Sequence, residues 1–418
     1  MRTQSTRTPE LLAPAGGLAQ LEAALRFGAD AVYLAADRFG LRQRAANFAL
    51  DDVPAAAARA HDAGAKAYVT LNALMDADDL KALPAYLEAL AAAGVDAFIV
   101  SDLGALRLAQ RYAPNVELHV STQASVCNAE AARVWHELGA SRVVCAREMS
   151  VEDIARLRAG APRELELEAF VHGAMCMAVS GRCLISAALT GRSGNKGHCT
   201  QPCRWSYALV EEQRPGEFFP VEEDVRGTYV MNAQDLNMLA HLDDLAAAGI
   251  DSFKIEGRNK KAFYVASVVR AYRLALDGVP SSELADELLA VSHRPYGTGF
   301  YYGDARQSPD VDGYTAECRH AATVEACEPA GEGAFRVIAR CYNRFCEGDE
   351  LEALSPGPHV PLVRVRNLAW LPAPDGDDAQ PKRVPVAVAN RSAERYAFET
   401  GEELAPGDFL RMRINVER

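Results

Sequence analysis

The segment FGADAVYLA at residues 27–35 has a pattern that four other segments of the chain repeat. In each copy a glycine closes an Ala/Leu-rich stretch, small or polar residues follow, and a short β-branched or aromatic run begins. Such a glycine is typical of the left-handed position after a helix, and such a run is typical of a buried parallel strand. The other copies are AGAKAYVTL (63–71), AGVDAFIVS (93–101), LGASRVVCA (138–146) and AGIDSFKIE (248–256).

Completing this alternation along the chain predicts eight strand–helix units, which favours an α/β (β/α)8 TIM-type barrel. A Rossmann-like open sheet is the alternative, but no G-x-G-x-x-G follows a predicted strand. The predicted strands are 10–14, 31–36, 66–73, 97–102, 117–123, 142–147, 165–172 and 251–257. The predicted helices are 18–28, 52–63, 78–93, 103–112, 128–138, 150–159, 234–248 and 260–277.

Two departures from the alternation define the domain organisation. A long insertion at 173–233, after strand 7 of the barrel, carries a group of cysteines. Beyond the barrel (1–277), a connecting segment (278–319) leads to residues 320–418, where short apolar runs alternate with Pro/Gly turns. This pattern predicts a small all-β C-terminal barrel domain of five or six strands.

Composition restricts the class of protein. The 418 residues are 49% hydrophobic and 24% charged, as in globular proteins, and the formal net charge is −13. A negative field repels phosphates, so general DNA binding is not expected and any RNA must dock on a local basic surface. The start MRTQSTRTPE lacks the apolar core of a signal peptide, and no run of 18 apolar residues occurs. We therefore expect a cytoplasmic protein without a membrane partner.

Four of the ten cysteines are concentrated in the insertion, as Cys176-x6-Cys183-x15-Cys199-x3-Cys203. Disulfides are uncommon in a reducing compartment, so this density points to a metal. Four thiolates suit a [4Fe–4S] cluster or tetrahedral zinc, and unliganded thiols are the third possibility. The remaining cysteines are expected to be small buried hydrophobic residues: Cys127, Cys145, Cys318, Cys327, Cys341 and Cys346.

The surroundings of these cysteines are basic. From Ala169 to Val210 the sequence contains no Asp or Glu, whereas Arg182, Arg192, Lys196 and Arg204 are present. Such a local positive surface suits a small anion, RNA phosphates or a negatively charged cluster. A solvated loop that happens to lack acids is the alternative interpretation.

Polar residues near the ends of the predicted strands indicate a functional barrel mouth, because TIM-barrel active sites lie on that face. One or two of them would be ordinary packing, but nearly every strand has one. Those at or near strand ends are Tyr33, Asn72, Asp102, Gln123, Arg147, His172 and Glu256; His119 and Glu168 lie lower on their strands, and Lys254 shares a face with Glu256. No H-E-x-x-H, G-x-S-x-G or Walker motif occurs, so a zinc or serine hydrolase lacks its machinery.

The stretch HGAMCMAVSGRCLISAALTGRSGNKGHCTQPCRWSY (172–207) resembles the signature of the collagenase-like peptidase family U-32. Further matching segments are ELLAPAGG (10–17), ANF (46–48), FKIEGR (253–258) and SHRPYGTGFYYG (292–303). The resemblance covers most of the chain. It implies a barrel and an iron–sulfur cluster held by Cys176, Cys183, Cys199 and Cys203, of which Cys203 is the least certain ligand.

The resemblance is greatest to the branch that hydroxylates tRNA, since that branch has a C-terminal β domain. It implies oxygen-independent 5-hydroxylation of the wobble uridine, with prephenate as the source of the hydroxyl group. For such a small anionic co-substrate the expected binding residues are Arg44, Asn47, Asn72, Gln123, Arg147, Lys254 and Arg258. His172 and Glu256 are the candidates for proton transfer.

Three other functions remain open from the sequence. One is a collagenase-like peptidase of unassigned catalytic type, with a cysteine nucleophile beside His172. The second is hydroxylation of ribosomal RNA, which another branch of the family carries out. The third is a metal-stabilised scaffold for RNA or protein that has no chemistry of its own.

Overall fold

The computed structural model describes residues 8–41, 47–175, 183–205, 208–210, 218–220, 234–303, 305, 314–331, 333–372 and 382–414. Its first eleven strands are β1 (Glu10–Ala15), β2 (Ala31–Leu34), β3 (Lys66–Leu71), β4 (Ala97–Val100), β5 (Glu117–Val120), β6 (Arg142–Val144), β7 (Glu166–Ala174), β8 (Ala208–Val210), β9 (Phe218–Pro220), β10 (Asp235–Asn237) and β11 (Ser252–Ile255). Eight of these, β1 to β7 and β11, pair in parallel as β11-β1-β2-β3-β4-β5-β6-β7, and β11 also pairs with β7. The sheet therefore closes, and the predicted TIM-type barrel is confirmed.

Seven of the eight predicted helices lie close to their expected positions, and the structure adds two helices, at 185–190 and 281–289, that were not predicted. The described residues form ten α-helices. They are α1 (Leu18–Arg26), α2 (Val53–Asp62), α3 (Ala77–Ala92), α4 (Leu103–Tyr112), α5 (Ala129–Glu137), α6 (Val151–Gly160), α7 (Ile185–Thr190), α8 (Leu242–Ala247), α9 (Ala262–Leu276) and α10 (Ser281–Leu289). Side-chain caps fix where several begin: Asp76, Asp102, Asn128 and Ser150 each accept a backbone N–H at the start of α3 to α6. None of the helices in the described ranges is both long and apolar enough to cross a bilayer.

The predicted helix at 234–248 is wrong in its first half. Residues Asp235–Asn237 form β10, which pairs antiparallel with the end of β7, and only Leu242–Ala247 form an α-helix. The Leu/Ala-rich composition suggested a helix, but β7 continues to Ala174 and offers an edge to which β10 bonds. The inserted segment thus returns to the barrel as an added strand.

The C-terminal region is all-β, as predicted, but has more strands than the expected five or six. The later strands are β12 (Tyr296–Gly297), β13 (Cys318–Gly331), β14 (Ala334–Cys341), β15 (Phe345–Cys346), β16 (Glu350–Leu354), β17 (Leu362–Arg364), β18 (Arg366–Leu371), β19 (Val384–Pro385), β20 (Val388–Ala389), β21 (Arg395–Thr400) and β22 (Phe409–Arg413). Eight of them form one antiparallel sheet, in the order β17-β16-β22-β13-β14-β21-β18-β19. Its core includes Val337, Phe345, Leu351 and Phe398.

The chain divides into two compact units. The first comprises residues 1–25, 29–265 and 293–314, and the second comprises 26–28, 266–292 and 315–418. Within the second, the buried guanidinium of Arg411 donates to Glu287 of α10 and to Glu352 of β16, at 2.8 and 2.7 Å. These charge-assisted bonds join helix α10 to the antiparallel sheet.

A buried charged cluster fills the amino-terminal end of the barrel. We call it the floor cluster, and it comprises Glu10, Arg142, Glu166, Glu168 and Lys254. The fully buried Glu168 carboxylate receives Lys254 Nζ at 2.6 Å and Arg142 Nη1 at 3.1 Å, and Arg142 Nη1 also lies 2.6 Å from Glu10. Burial alone would raise the pKa of Glu168, but Lys254 and Arg142 hold it below its ordinary value. The cluster connects β1, β6, β7 and β11, the strands around the closure of the barrel.

Replacing Glu168 tests how much stability the floor cluster carries. Glu168→Ala leaves the Lys254 ammonium buried without its carboxylate, so we expect the free energy of unfolding to fall by about 3–5 kcal/mol in urea denaturation. The matched control, Glu168→Leu with Lys254→Met, removes both charges and should lose less than half as much. A Glu168→Ala loss below about 1 kcal/mol, the value of an exposed ion pair, would contradict this account.

Candidate active site

Polar side chains of the first unit collect at the carboxyl end of the barrel, opposite the floor cluster. Asn72 follows β3, Arg147 follows β6, Glu256 follows β11, and His172 lies near the end of β7. Loops at this end of a (β/α)8 barrel carry the reactive groups of the enzymes built on it. We call this end the mouth.

An ion pair between Arg147 and Glu256 is the main charged feature of the mouth. Arg147 Nη2 lies 3.4 Å from Glu256 Oε2, and Nη1 donates to the carbonyl of Ala174 at 2.8 Å. The guanidinium carbon lies 3.7 Å from the centre of the Phe170 ring, which fixes its plane. Both side chains are largely buried, yet they retain about a tenth of their surface accessible, 10% for Arg147 and 13% for Glu256. A small anion can therefore approach a guanidinium that is already oriented.

Gly173 of β7 allows the backbone of Glu256 to approach closely. β7 and β11 slip in register between Lys254 and Ile255, so that Ile255 pairs with His172, and the next residue of β7, Gly173, adopts a φ of 107°. A Cβ on Gly173 would lie 2.4 Å from the carbonyl oxygen of Glu256, so no larger residue fits without moving the backbone.

His172 is enclosed by aromatic rings. Its ring centre lies 5.4 Å from that of Tyr296 and 6.0 Å from that of Tyr264, and Tyr296 in turn stacks on His293 at 4.5 Å. Burial lowers the pKa of His172 to about 3, and the charges of Lys260 and His293 act in the same direction. The imidazole is therefore neutral near pH 7 and does not act there as a proton-donating imidazolium.

Two further polar pairs line the mouth. Asn72 Nδ2 donates to Ser121 Oγ at 3.1 Å, which links the loops after β3 and β5. Arg258 is buried, and its Nη1 donates to Thr70 Oγ1 at 2.6 Å. Gln123 lies half-buried in a 3₁₀ helix directly after Ser121.

The other predicted site residues lie at different places. Lys254 lies inside the barrel, paired with Glu168 of the floor cluster, so its charge is already compensated below the mouth. Asn47 is half-buried with a φ of 46°. Arg44 and Cys176 lie outside the described residues.

The described part of the insertion is attached to the rim of the mouth. The chain leaves β7 at Ala174, and residues 195 and 196 dock on the loop after β3. There, Leu74 N donates to the carbonyl of Asn195 at 2.9 Å, and Lys196 Nζ contacts Asp76 Oδ2 at 2.7 Å. β3 and β7 are four strands apart in an eight-stranded barrel, so the insertion reaches from one side of the mouth to the other.

The cysteine region has donor chemistry that fits a thiolate-bound metal. Cys183, Cys199 and Cys203 are half-buried, no carboxylate occurs in the surrounding sequence, and Gln201 N donates to Cys199 Sγ at 3.3 Å. Backbone N–H bonds to sulfur stabilise cluster thiolates. Within the described residues, which omit Cys176, no three His, Cys, Asp or Glu side chains are gathered to hold a metal. Of the six other cysteines, Cys145, Cys318 and Cys341 are buried.

Several residues of the mouth do not stand out in the sequence. Ser121 and Thr70 are small polar residues without a motif, and they matter only through Asn72 and Arg258. His293 and Tyr296 lie in the segment expected to connect the domains, yet they pack around His172 in the first unit. Both residues belong to SHRPYGTGFYYG (292–303), and the family resemblance of that segment could have indicated that they lie at the site.

Comparison with known proteins identifies relatives along the chain. A profile of peptidase family U32 matches residues 16–310. The chain is 34% identical to the tRNA hydroxylation protein P1 of Bacillus subtilis, over 97% of this chain and 95% of that protein. It is 35% identical to the tRNA hydroxylation protein P of Escherichia coli, over 84% of this chain and 87% of the relative. The 23S rRNA 5-hydroxycytidine C2501 synthase of Escherichia coli is 39% identical, over 66% of this chain and 40% of that protein.

The low pKa of His172 has a consequence for stability. Between about pH 3 and its unfolded value near 6.5, the unfolded chain binds a proton that the folded chain does not, so stability falls as pH falls through this window. Between pH 7.5 and 5.5 the wild type should lose about 1 kcal/mol more of its free energy of unfolding than His172→Gln does, as measured in urea. Equal losses in the two proteins would show that the folded imidazole titrates normally.

Proposed function

The chain belongs to peptidase family U32, and we propose that it is an RNA-hydroxylating enzyme whose substrate is tRNA. The proposed reaction is 5-hydroxylation of the wobble uridine without molecular oxygen, with prephenate as the source of the hydroxyl group. Replacing C5–H by C5–OH removes two electrons and a proton from the base, so the reaction also requires an electron acceptor. The reacting groups would meet at the barrel mouth.

The observation that carries this proposal is the extent of the match to tRNA hydroxylation protein P1. The identity extends over 97% of this chain, so it includes the antiparallel sheet of the second unit as well as the barrel. The match to the ribosomal RNA synthase covers 66% of this chain. Hydroxylation of ribosomal RNA is accordingly the second candidate, supported by that shorter match.

Arg147 is the proposed anchor for the anionic co-substrate. A dicarboxylate such as prephenate needs cations that are already oriented, and the Phe170 ring and the Ala174 carbonyl hold the guanidinium in one plane. Glu256 compensates part of its charge, which allows the guanidinium to stay in the mouth without a ligand.

Glu256 is also the group that we assign to proton transfer. Its carboxylate lies at the end of β11 beside Arg147 and retains accessible surface. His172 is neutral near pH 7, because burial lowers its pKa to about 3, and we assign it a hydrogen-bonding role next to Tyr264 and Tyr296. A single carboxylate then carries the pH dependence of the chemical step.

An iron–sulfur cluster is proposed on Cys176, Cys183, Cys199 and Cys203, on the basis of the all-sulfur donor set. When bound, a [4Fe–4S] cluster would supply a redox-active or Lewis-acidic iron beside the mouth. Structural zinc on the same thiolates is the alternative cofactor.

A cysteine peptidase has less support, despite the family name. A nucleophilic thiol must be accessible and easily deprotonated. Cys145 is buried close to the mouth, at the end of β6, and burial raises its pKa to about 12. The rings recorded around His172 are those of Tyr264 and Tyr296.

Nucleoside analysis of cells tests the proposed function. Deleting the gene should abolish 5-hydroxyuridine and its derivatives in tRNA, and a plasmid copy of the wild type should restore them, as measured by mass spectrometry of digested tRNA and ribosomal RNA. Unchanged tRNA nucleosides together with loss of a hydroxylated nucleoside from ribosomal RNA would favour the second candidate. No change in either fraction would contradict RNA hydroxylation.

Two cysteine variants serve as a matched pair in the same strain. Cys199→Ser removes a proposed ligand, so it should fail to restore the modification and should lose most of its bound iron after anaerobic purification. Cys346→Ser changes an equally half-buried cysteine of the antiparallel sheet region and should behave as the wild type. Full iron content in Cys199→Ser would contradict the ligand assignment.

A further inference from the structure

The described part of the insertion, residues 183–205, is a compact element on the rim of the mouth. We call it the rim element. Ser186 holds it together: its hydroxyl donates to the carbonyl of Arg192 at 2.6 Å and accepts from Thr200 N at 3.0 Å. A 3₁₀ helix at 202–204 packs against α7. The Lys196–Asp76 pair attaches the element to the loop after β3.

The rim element presents an indole to solvent. Trp205 is 47% exposed, although tryptophan has the largest side chain to bury and normally does so. It follows the 3₁₀ helix directly, and its backbone N–H bonds to the carbonyl of Pro202 at 3.0 Å. The position of the residue is therefore defined by local structure while its ring is accessible.

The segment that carries this indole contains charged residues of one sign. Residues 183–205 contain Arg192, Lys196 and Arg204 and no Asp or Glu, in a chain of net charge −13. Arg192 and His198 are exposed, and no ion pair is recorded for Arg192 among the described side chains. Proteins that hold single-stranded nucleic acid combine aromatic faces, which stack on bases, with cationic side chains, which contact the phosphates.

We propose that the rim element is a nucleobase-stacking site, in which Trp205 stacks on an unpaired base of the RNA substrate and Arg192 contacts its backbone. This proposal rests on the proposed function and adds a substrate contact outside the barrel mouth. An unpaired loop base suits the site, because protein side chains reach single-stranded bases and not those stacked in an RNA duplex.

The aromatic residues of the 296–302 stretch are engaged elsewhere. Tyr301 is buried and its hydroxyl donates to the carbonyl of Phe170 at 2.6 Å, and Tyr296 stacks on His293. Tyr302 packs against His241, and its hydroxyl bonds to Asp244, an acidic neighbour that disfavours phosphate. A protein partner would suit the exposed Leu184 and Leu189 of the rim element, but the absence of any acid favours a polyanion.

Fluorescence titration of the full-length protein tests the site. With a labelled anticodon stem-loop RNA as the probe, Trp205→Ala should weaken binding about tenfold in fluorescence anisotropy, whereas Trp205→Phe, which keeps an aromatic face, should bind within about threefold of the wild type. Leu189→Ala removes an exposed apolar side chain of the same element and serves as the matched control with unchanged affinity.

A second readout reports stacking directly. The chain has three tryptophans, so Trp135→Phe with Trp370→Phe leaves Trp205 as the only one, and RNA should quench its emission. If Trp205→Ala binds RNA with wild-type affinity, or if binding does not quench the emission, the stacking site is overturned. Neither result bears on RNA hydroxylation, which the nucleoside analysis tests. Weakening by Leu189→Ala but not by Trp205→Ala would indicate an apolar docking surface instead. Absence of RNA binding by the wild type would overturn the stacking proposal as well.

Discussion

The buried Glu168 carboxylate is the interaction on which the rest of the barrel depends. It lies between Lys254 and Arg142, and Arg142 extends the contact to Glu10, so that one chain of charges connects the strands at the closure of the barrel. Desolvated charges are tolerated only when each is paired and hydrogen-bonded, and here they are. The pairing of Glu168 with Lys254 fixes β7 and β11 against each other. The same two strands position His172 and Glu256 at the mouth, the opposite end of the barrel.

The two ends of the barrel therefore have different properties. Charges at the floor compensate one another, and Glu168, Arg142 and Lys254 are almost fully buried there. The Arg147–Glu256 pair at the mouth keeps about a tenth of its surface accessible and has a longer separation of 3.4 Å. The insertion adds a third layer, because it starts at β7 and is attached through Lys196 to the loop after β3. A substrate that enters the mouth consequently meets the barrel residues and the rim element together.

The periodic part of this structure could be predicted from the sequence. The glycine-terminated repeats place five of the eight barrel strands and the alternation between them places the other three, since each helix end and each buried run is a local property. What depends on partners distant in the chain could not be predicted. β10 forms because β7 extends to Ala174, and side-chain alternation gave the face of Lys254 but not its depth, which the pairing with Glu168 sets. Arg147 and Glu256 were both identified as site residues, but their contact depends on how the ends of β6 and β11 lie against β7, which is not a local property of the sequence.

Hydroxylation of tRNA at the barrel mouth is tested most directly by an anaerobic reaction with purified components. Protein with its full iron content would be incubated under argon with an unmodified tRNA transcript and a chemical electron acceptor, with and without prephenate, and the nucleosides would be analysed by mass spectrometry. The account predicts 5-hydroxyuridine at the wobble position only when protein and prephenate are both present. Iron-loaded protein that binds the transcript but forms no hydroxylated nucleoside would contradict it.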